Sequence, residues 1–209
     1  MNTVFKNIIV LLTFLVLTIS IQANELKPIF TSSVGMFILN VNENASGIST
    51  TDTTVTAQGD VLASTSISAL SLQFNYEFKT FSNKSYFVKL VTPLVTDGGQ
   101  GVFLGALGFN YFFGSIGSLL NIKGDNFDLT LMPTYRFYIG ASVGPGYLLY
   151  NTDSKKKGDV FLNIGVHVGY SYNFSDKWSL MIEGGAGKGS GSLTSSIGFG
   201  GVLGASYFL

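Results

Sequence analysis

Hydrophobic and polar residues alternate along most of this chain after its first two dozen positions. The segment "VFLNIGVHVGYSYNF", residues 160–174, shows the pattern most clearly, because every second residue from Val160 to Phe174 is apolar or aromatic. The residues between them are mostly small or polar, as in Asn163, Gly165 and His167. Successive side chains of a β-strand point to opposite faces of the sheet, so the segment predicts a strand with one apolar face and one polar face.

The same alternation recurs along the chain and predicts ten antiparallel strands. The segment 116–122 is short and alternates poorly, so eight strands remain the alternative. Pro93, Pro133 and Pro145 fall inside predicted strands, where the missing amide hydrogen predicts bulges or local bends. The predicted strands cover residues 30–41, 61–78, 84–96, 101–113, 116–122, 127–137, 138–150, 159–173, 178–188 and 193–209.

The polar faces of these strands carry Gly, Ser, Thr and Asn rather than the Lys and Glu of a soluble surface. The chain is 46% hydrophobic and only 11% charged, whereas a typical soluble domain is about 25% charged. Such faces fit an all-β fold: a closed antiparallel transmembrane up-and-down β-barrel, with its apolar face toward lipid and its polar face lining the lumen. A soluble β-sandwich is the alternative, and a lipocalin-like barrel would need more exposed charges.

The N-terminus and the overall charge limit location and partners. Residues 1–23, with Lys6 before a long apolar core and Ala23 at its end, predict a cleaved signal peptide, and a retained anchor helix is the alternative. Residues 24–209 then form the barrel domain. The absence of cysteine excludes disulfides and a lipoprotein-type anchor. Twelve basic residues balance twelve acidic ones. The chain therefore lacks the excess of positive charge that would indicate nucleic acid as a partner.

Aromatic residues at predicted strand ends indicate a girdle at the membrane–water boundary. They precede or follow short polar turns, which predicts that these turns lie on the periplasmic side. The longer polar stretches are then external loops, at residues 42–60, 96–101, 123–126, 151–159 and 188–192. The predicted girdle residues are Phe78, Phe113, Phe137, Phe174, Trp178 and Tyr207.

The C-terminal strand carries the most specific signal. "GFGGVLGASYFL" ends with Tyr207, Phe208 and Leu209, an aromatic–apolar ending that resembles the terminal strand of small bacterial outer-membrane β-barrel proteins. The usual last residue there is Phe, and here it is Leu209. The resemblance implies an integral outer-membrane protein, with outer-membrane lipid, lipopolysaccharide and the barrel insertion machinery as partners. Because this superfamily includes channels, adhesins and enzymes, the resemblance implies no single role.

Six ionisable residues fall on predicted inward faces and predict a charged network in the lumen: Glu77, Lys89, Asp128, Arg136, His167 and Glu183. Glu77 and Arg136 both lie near predicted periplasmic strand ends, which suggests that they pair. The network is interpreted either as a charged constriction that controls solute passage or as a structural plug. Inward glycines either open a crevice or make room for larger residues opposite: Gly140, Gly144, Gly146, Gly165, Gly169, Gly185, Gly187, Gly198 and Gly200.

The function expected from these patterns is that of a narrow channel for ions or small solutes, or of a structural barrel. The alternative is a surface-interaction or adhesion protein that acts through its external loops, with the Thr- and Ser-rich first loop as the contact surface for an unknown ligand. A lipid-modifying enzyme or protease would need a partner for His167. Ser171 lies about 13 Å along the strand from it, and Glu183 or Asp128 on another strand is the alternative partner. The chain is therefore predicted to be no enzyme, with no cofactor and no metal; Lys155, Lys156 and Lys157 would form a loop tip near lipopolysaccharide.

Overall fold

The computed structural model describes residues 28–43, 64–81, 83–95, 99–113, 120–124, 127–131, 134–152 and 155–209. The predicted signal peptide and most of the predicted first external loop lie outside these residues, so both stay predictions. No helix in the described ranges has the length and hydropathy that a membrane-spanning helix requires.

Eight of the described strands form one closed antiparallel barrel, and two form a separate hairpin. This confirms the predicted fold class of an all-β, closed up-and-down barrel. The barrel order is β1-β10-β9-β8-β7-β4-β3-β2, with the last strand paired to the first. The strands are β1 Ile29–Glu43, β2 Ser64–Phe81, β3 Lys84–Val95, β4 Gly101–Phe113, β5 Leu120–Gly124, β6 Phe127–Leu131, β7 Tyr135–Thr152, β8 Lys155–Asn173, β9 Trp178–Gly191 and β10 Thr194–Phe208.

The barrel has eight strands, so the prediction of ten is wrong and the eight-strand alternative is confirmed. Strands β5 and β6 pair with each other inside the connection between β4 and β7. The predicted break between residues 137 and 138 is also wrong, because β7 runs unbroken from Tyr135 to Thr152. Phe137 pairs with Phe113 of β4 and lies near the start of its strand, not at its end. An aromatic ring at the boundary marks either terminus of a strand, which is why the ring position alone misled the strand count.

Closure between the first and last strands is continuous. β1 pairs with β10 in an unbroken register from Ile29↔Phe208 to Glu43↔Thr194, and it pairs with β2 on its other side. A closed sheet leaves no unpaired edge amides, and lipid could not satisfy such amides.

Among the described residues, Pro93 and Pro145 each interrupt strand pairing only in their immediate neighbourhood. The β2–β3 register shifts between Leu70↔Val95 and Ser71↔Pro93, which places the predicted bulge at Pro93. Pro145 stays in register with β8, but the β4–β7 ladder omits the pairs at Gly144 and Pro145. The missing proline amide hydrogen accounts for an interruption there without a bulge. Pro133 lies outside the described residues.

The barrel has two distinct ends. The terminal end holds both chain termini of the barrel, Ile29 and Phe208, together with the connections 82–83, 114–134 and 174–177. The opposite end, called the loop end, holds the connections 44–63, 96–100, 153–154 and 192–193. The segment 123–126 therefore belongs to the β5–β6 hairpin connection at the terminal end, which corrects its prediction as an external loop. Most of the predicted loops 151–159 and 188–192 are strand, because the alternation there was masked by Lys and Gly.

The outer face of the barrel is a continuous apolar belt. Val160 and Leu203 expose 64% and 65% of their surface, and every barrel strand contributes further apolar side chains. A belt of this extent is far larger than the apolar patches that water-exposed proteins carry, so this exterior is built for the hydrocarbon of a bilayer. Exposed belt residues include Val34, Met36, Leu90, Phe109, Val143, Ile164, Ile182, Ile197 and Phe199.

Aromatic residues of the outer face gather near the terminal end. Phe113, Phe137, Phe174 and Trp178 are exposed there, and Tyr207 packs edge-on against Trp178 with ring centroids 4.9 Å apart. Phe78 differs from its prediction as a lipid-facing ring, because only 6% of it is exposed. The reason is that β2 continues past it to Phe81, with a register shift between Lys79 and Phe81, so Phe78 is not at the end of its strand.

Candidate functional site

The lumen near the terminal end is closed by a cation between aromatic rings. Arg136 of β7 is 3% exposed, and its guanidinium lies 5.6 Å from the ring centroid of Phe112 and 5.3 Å from that of Phe208. Its Nε donates a hydrogen bond to Oγ of Ser171 at 2.9 Å. Glu77, also buried, interacts electrostatically with Arg136, the pair that the sequence suggested. Side chains therefore fill this end of the lumen.

A second layer crosses the middle of the lumen. Lys89 of β3 and Glu183 of β9 form an ion pair with Nζ 2.7 Å from Oε1, and their side chains are 11% and 9% exposed. These strands lie four apart in the closed order of eight, so the ion pair joins opposite walls. Tyr138 of β7 donates a hydrogen bond from its hydroxyl to the other carboxylate oxygen, Oε2, at 3.1 Å. The carboxylate of Glu183 is thus bound from two sides, as a buried charge requires.

His167 belongs to the same middle layer. Its Nε2 lies 2.8 Å from Oδ1 of Asn110, an oxygen that can only accept, so Nε2 carries the hydrogen. The same nitrogen is 3.9 Å from Oε2 of Glu183, and the ring meets Phe87 edge-on at 5.5 Å. Ser171, the nucleophile weighed from the sequence, instead accepts the hydrogen bond from Arg136. The described contacts therefore give His167 an amide partner and no serine partner.

Five of the six predicted network residues lie buried on the inner wall: Glu77, Lys89, Arg136, His167 and Glu183. Asp128 does not, because it lies in β6 of the separate hairpin, in register with Lys123. The alternation around Asp128 belongs to the hairpin and not to the barrel wall. The sequence did not indicate Asn110 and Tyr138 as partners of this network, although the same alternation places them on inner faces, and it considered Ser171 as a partner of His167 and not of Arg136.

A third, apolar layer closes the lumen toward the loop end. Leu148 and Tyr150 of β7 are 1% and 2% exposed, and they pack with Phe161 of β8. Val102 of β4, paired with Leu148, belongs to the same cluster, and Val41 of β1 and Ile67 of β2 join it from the opposite wall. Phe37 and Leu39 of β1 pack against the cluster from below. Bulky side chains thus occupy the lumen at both of its ends.

The inward glycines serve both of the roles considered from the sequence. A Cβ at Gly169 would collide with the ring of Tyr138, and a Cβ at Gly146 would collide with the ring of Phe161, so these glycines make room for rings. At Gly165 a Cβ would make only ordinary van der Waals contacts, none closer than 3.4 Å, and this glycine lines a cavity.

This cavity has a volume of about 190 Å³ and lies between the middle layer and the apolar layer. Its lining changes in character along the barrel axis. The floor holds the Lys89–Glu183 ion pair together with His167, and the sides toward the loop end include Leu39, Val102 and Phe161. Between them lie uncharged polar side chains and glycines: Ser71, Gln73, Ser142, Asn163, Gly165, Gly185, Gly187, Gly198 and Gly200.

The rim at the loop end is braced by side chains. Lys157 of β8 and Glu43 of β1 form an ion pair at 2.8 Å between strands that are not neighbours. Asp159, 3% exposed, accepts hydrogen bonds from the amide of Leu193 at 3.1 Å and from the amide and hydroxyl of Thr194 at 2.9 and 2.8 Å. Its other oxygen accepts from Ser192 at 3.1 Å. These contacts fix the β9–β10 turn to the wall.

The described residues contain no group of three or more His, Cys, Asp or Glu side chains that could hold a metal ion. The C-terminal residues divide between the two faces. Tyr207 lies outward against Trp178, while Phe208 is 4% exposed and packs inward against Ile29. The amide of Leu209 donates to the carbonyl of Pro28 at 2.9 Å, which ties the last residue to the start of β1.

Comparison with known proteins finds likeness in fold alone. No protein-family model matches the chain, and no curated protein matches it in sequence. Among solved structures, the N-terminal β-barrel domain of Pseudomonas aeruginosa OprF aligns with TM-score 0.49 and 10% identity over 89% of this chain and 100% of that one. Neisserial surface protein A, NspA, aligns with TM-score 0.48 and 10% identity over 85% of this chain and 97% of that one. The outer membrane protease OmpT from Escherichia coli aligns with TM-score 0.41 and 8% identity over 90% of this chain and 98% of that one.

The resemblance to small outer-membrane β-barrels is confirmed at the level of the fold. The closed eight-stranded barrel and its apolar exterior establish it. At these identities and TM-scores, the aligned structures carry no argument about activity.

Proposed function

We propose that this chain is a structural and surface-exposed barrel of the bacterial outer membrane, whose lumen is sealed to solutes in its resting state. The observation that supports the proposal is the succession of three filled layers in the lumen. Arg136 lies between rings at the terminal end, the Lys89–Glu183 ion pair spans the middle, and Tyr150 packs in the apolar layer at the loop end. An eight-stranded barrel is just narrow enough for side chains to fill.

The outer membrane as the location rests on three features taken together. These are the apolar belt, the predicted signal peptide and the C-terminal residues Tyr207, Phe208 and Leu209. Spanning strands that close into a barrel are typical of that membrane. In this orientation the terminal end faces the periplasm, the loop end faces outward, and Lys157 at the rim lies near lipopolysaccharide. The insertion machinery reads the last strand.

The proposal includes no enzymatic role. His167, the one histidine of the chain, is buried in the lumen and hydrogen-bonded to Asn110. A general base needs hydrogen-bond reach to a nucleophile or to substrate. The amide of Asn110 supplies neither, which supports a structural role for His167.

Planar-bilayer recordings test whether the lumen is sealed. We expect the purified, folded protein to give no regular conductance steps. A variant with Lys89→Ala and Glu183→Ala keeps the other two layers and should also give no conductance steps. Adding Tyr150→Ala and Arg136→Ala to this variant removes side chains from all three layers and should produce conductance steps. Leu162→Ala, on the outer face beside Phe161, is the matched control. Discrete, uniform steps from the unaltered protein would show a channel and refute the proposal.

A surface-interaction role is the second candidate, and the rigid rim favours it. The connection 44–63 starts directly after Glu43, the residue that forms the rim ion pair with Lys157. An anchored base is what a binding loop on a rigid scaffold requires. Deletion of residues 45–58 should abolish attachment of expressing cells to a host-cell layer while the barrel stays folded. Unchanged attachment after the deletion would remove this role.

A further inference from the structure

The cavity in the lumen holds two polar side chains that the three layers do not use. Gln73 of β2 is 8% exposed and lines the cavity, as does Asn163 of β8. Neither side chain makes a hydrogen bond to another described residue. Strands β2 and β8 lie four apart in the closed order of eight, so the two amides project from opposite walls. Gln73 is buried and Asn163 is partly buried, so both amides are available to bond to a molecule inside the cavity.

The cavity has a polar part and an apolar part that would suit the two halves of one molecule. Toward the floor, Gln73 and Asn163 offer both donors and acceptors, since each amide has two N–H groups and a carbonyl. Toward the loop end, Leu39, Val102 and Phe161 line the cavity with hydrocarbon. A ligand that fits has a compact apolar body and one hydrogen-bonding group.

Charge and size narrow the ligand class further. The charges of Lys89 and Glu183 in the floor neutralise each other at 2.7 Å, so a ligand with a net charge would bring an unbalanced charge into a buried site. The volume of about 190 Å³ compares with an apolar cavity of about 150 Å³ that accommodates benzene. One ring with a small substituent fills such a space.

We propose that the lumen cavity is a binding site for a small, neutral, single-ring molecule that carries an amide or hydroxyl group. The amide or hydroxyl group bonds to Gln73 and Asn163, and the ring packs against Phe161 and its apolar neighbours. The glycine at position 165 keeps the space open. This inference goes beyond the proposed structural and surface role, because it assigns the interior a ligand.

Three matched probes test the proposal on the folded barrel in detergent micelles: benzamide, its charged analogue benzoate, and toluene, which lacks the polar group. Isothermal titration with each probe, corrected for micelles alone, should show saturable binding of benzamide. Benzoate should bind at least about tenfold more weakly, since burial of one unpaired charge costs more than a hydrogen bond contributes.

Two variants locate the binding. Gln73→Leu should weaken the binding of benzamide by about tenfold, as expected for the loss of one hydrogen bond. The affinity for toluene should stay unchanged or increase. Gly165→Leu places a side chain in the cavity and should abolish binding of both probes. Retained heat-modifiable mobility in gel electrophoresis shows that each variant is folded.

Either of two results overturns the proposal. One is the absence of saturable binding of any probe to the folded, unaltered protein, which would mean that the cavity holds water alone. The other is equal benzamide binding by the unaltered protein and by folded Gly165→Leu, which would place the probe outside the cavity.

Discussion

The ion pair between Lys89 and Glu183 allows a quantitative test of how the lumen is stabilised. Replacing Lys89 with Met removes the cation but keeps a chain of similar length. The carboxylate of Glu183 then stays 9% exposed, with the hydroxyl of Tyr138 as its remaining bonded partner. Breaking a buried ion pair on one side costs about 3–5 kcal/mol, because the remaining charge has lost its compensation. We expect a loss of this size in the free energy of unfolding.

The double variant Lys89→Met with Glu183→Gln separates two explanations. Gln keeps an acceptor for the hydroxyl of Tyr138 but carries no charge, so no unpaired ion remains. Replacing both charges of a buried pair often changes stability little. We therefore expect the free energy of unfolding of the double variant to lie within about 1–2 kcal/mol of that of the unaltered protein. The two single variants and the double variant thus form a cycle with a coupling of at least about 1 kcal/mol, even if Glu183→Gln alone costs nothing.

Urea unfolding of the barrel in lipid vesicles, followed by Trp178 fluorescence and by gel mobility, measures these free energies. Trp178 lies on the outer face at the terminal end, away from the substitutions, so its own surroundings stay constant. A loss below about 1 kcal/mol for Lys89→Met would refute the reasoning, because it would mean that water reaches Glu183 and screens its charge. The same result would argue for a hydrated and open lumen.

Two further substitutions test the packing of the wall and the bracing of the rim. Gly169→Ala should lower the free energy of unfolding by about 1–3 kcal/mol, because its Cβ would collide with the ring of Tyr138; the control Gly184→Ala meets only one atom, at 3.8 Å, and should change little. Equal effects of the two would show that Tyr138 moves aside freely. Asp159→Ala should cost about 1–3 kcal/mol and should expose the β9–β10 turn to proteases, since the amides of Leu193 and Thr194 lose their acceptor; Asp176→Ala, at an exposed turn, is the control. Protease resistance unchanged by Asp159→Ala would show that strand pairing alone holds the turn.

The fold could be predicted from the sequence because alternate residues of each barrel strand face lipid and the lumen, and the two environments favour different side chains. From Val160 of β8 to Phe174 just after its end, every second residue is exposed and apolar or aromatic, and that period is visible without coordinates. The number of barrel strands was harder to predict from the sequence. The connection between β4 and β7 contains its own hairpin, and alternation in a hairpin outside the barrel looks like alternation in the wall. Pairing partners decide that question, and one sequence does not contain them.

The sequence predicts which residues face the lumen, but it does not predict which of them contact each other. Alternation placed Lys89, His167 and Glu183 inward, where the structure has them. Which of them meet depends on strand order and stagger, since β3 and β9 face each other only after the barrel has closed. The pair that the sequence suggested, Glu77 with Arg136, lies near a common end of the barrel, which the positions of the two residues near strand ends indicate.

Gly165 and Gly169 differ in what a side chain at each position would meet. Both are inward glycines of β8, two alternate positions apart, and each costs the strand about 0.5–1 kcal/mol relative to alanine through lost backbone entropy. At Gly169 the ring of Tyr138 occupies the space that a Cβ would need, so packing offsets this cost. At Gly165 no side chain takes the space, and a Cβ would meet only ordinary contacts at 3.4 Å. A side chain could therefore be accommodated at this position, and the space beside the amides of Gln73 and Asn163 supports the proposed ligand site.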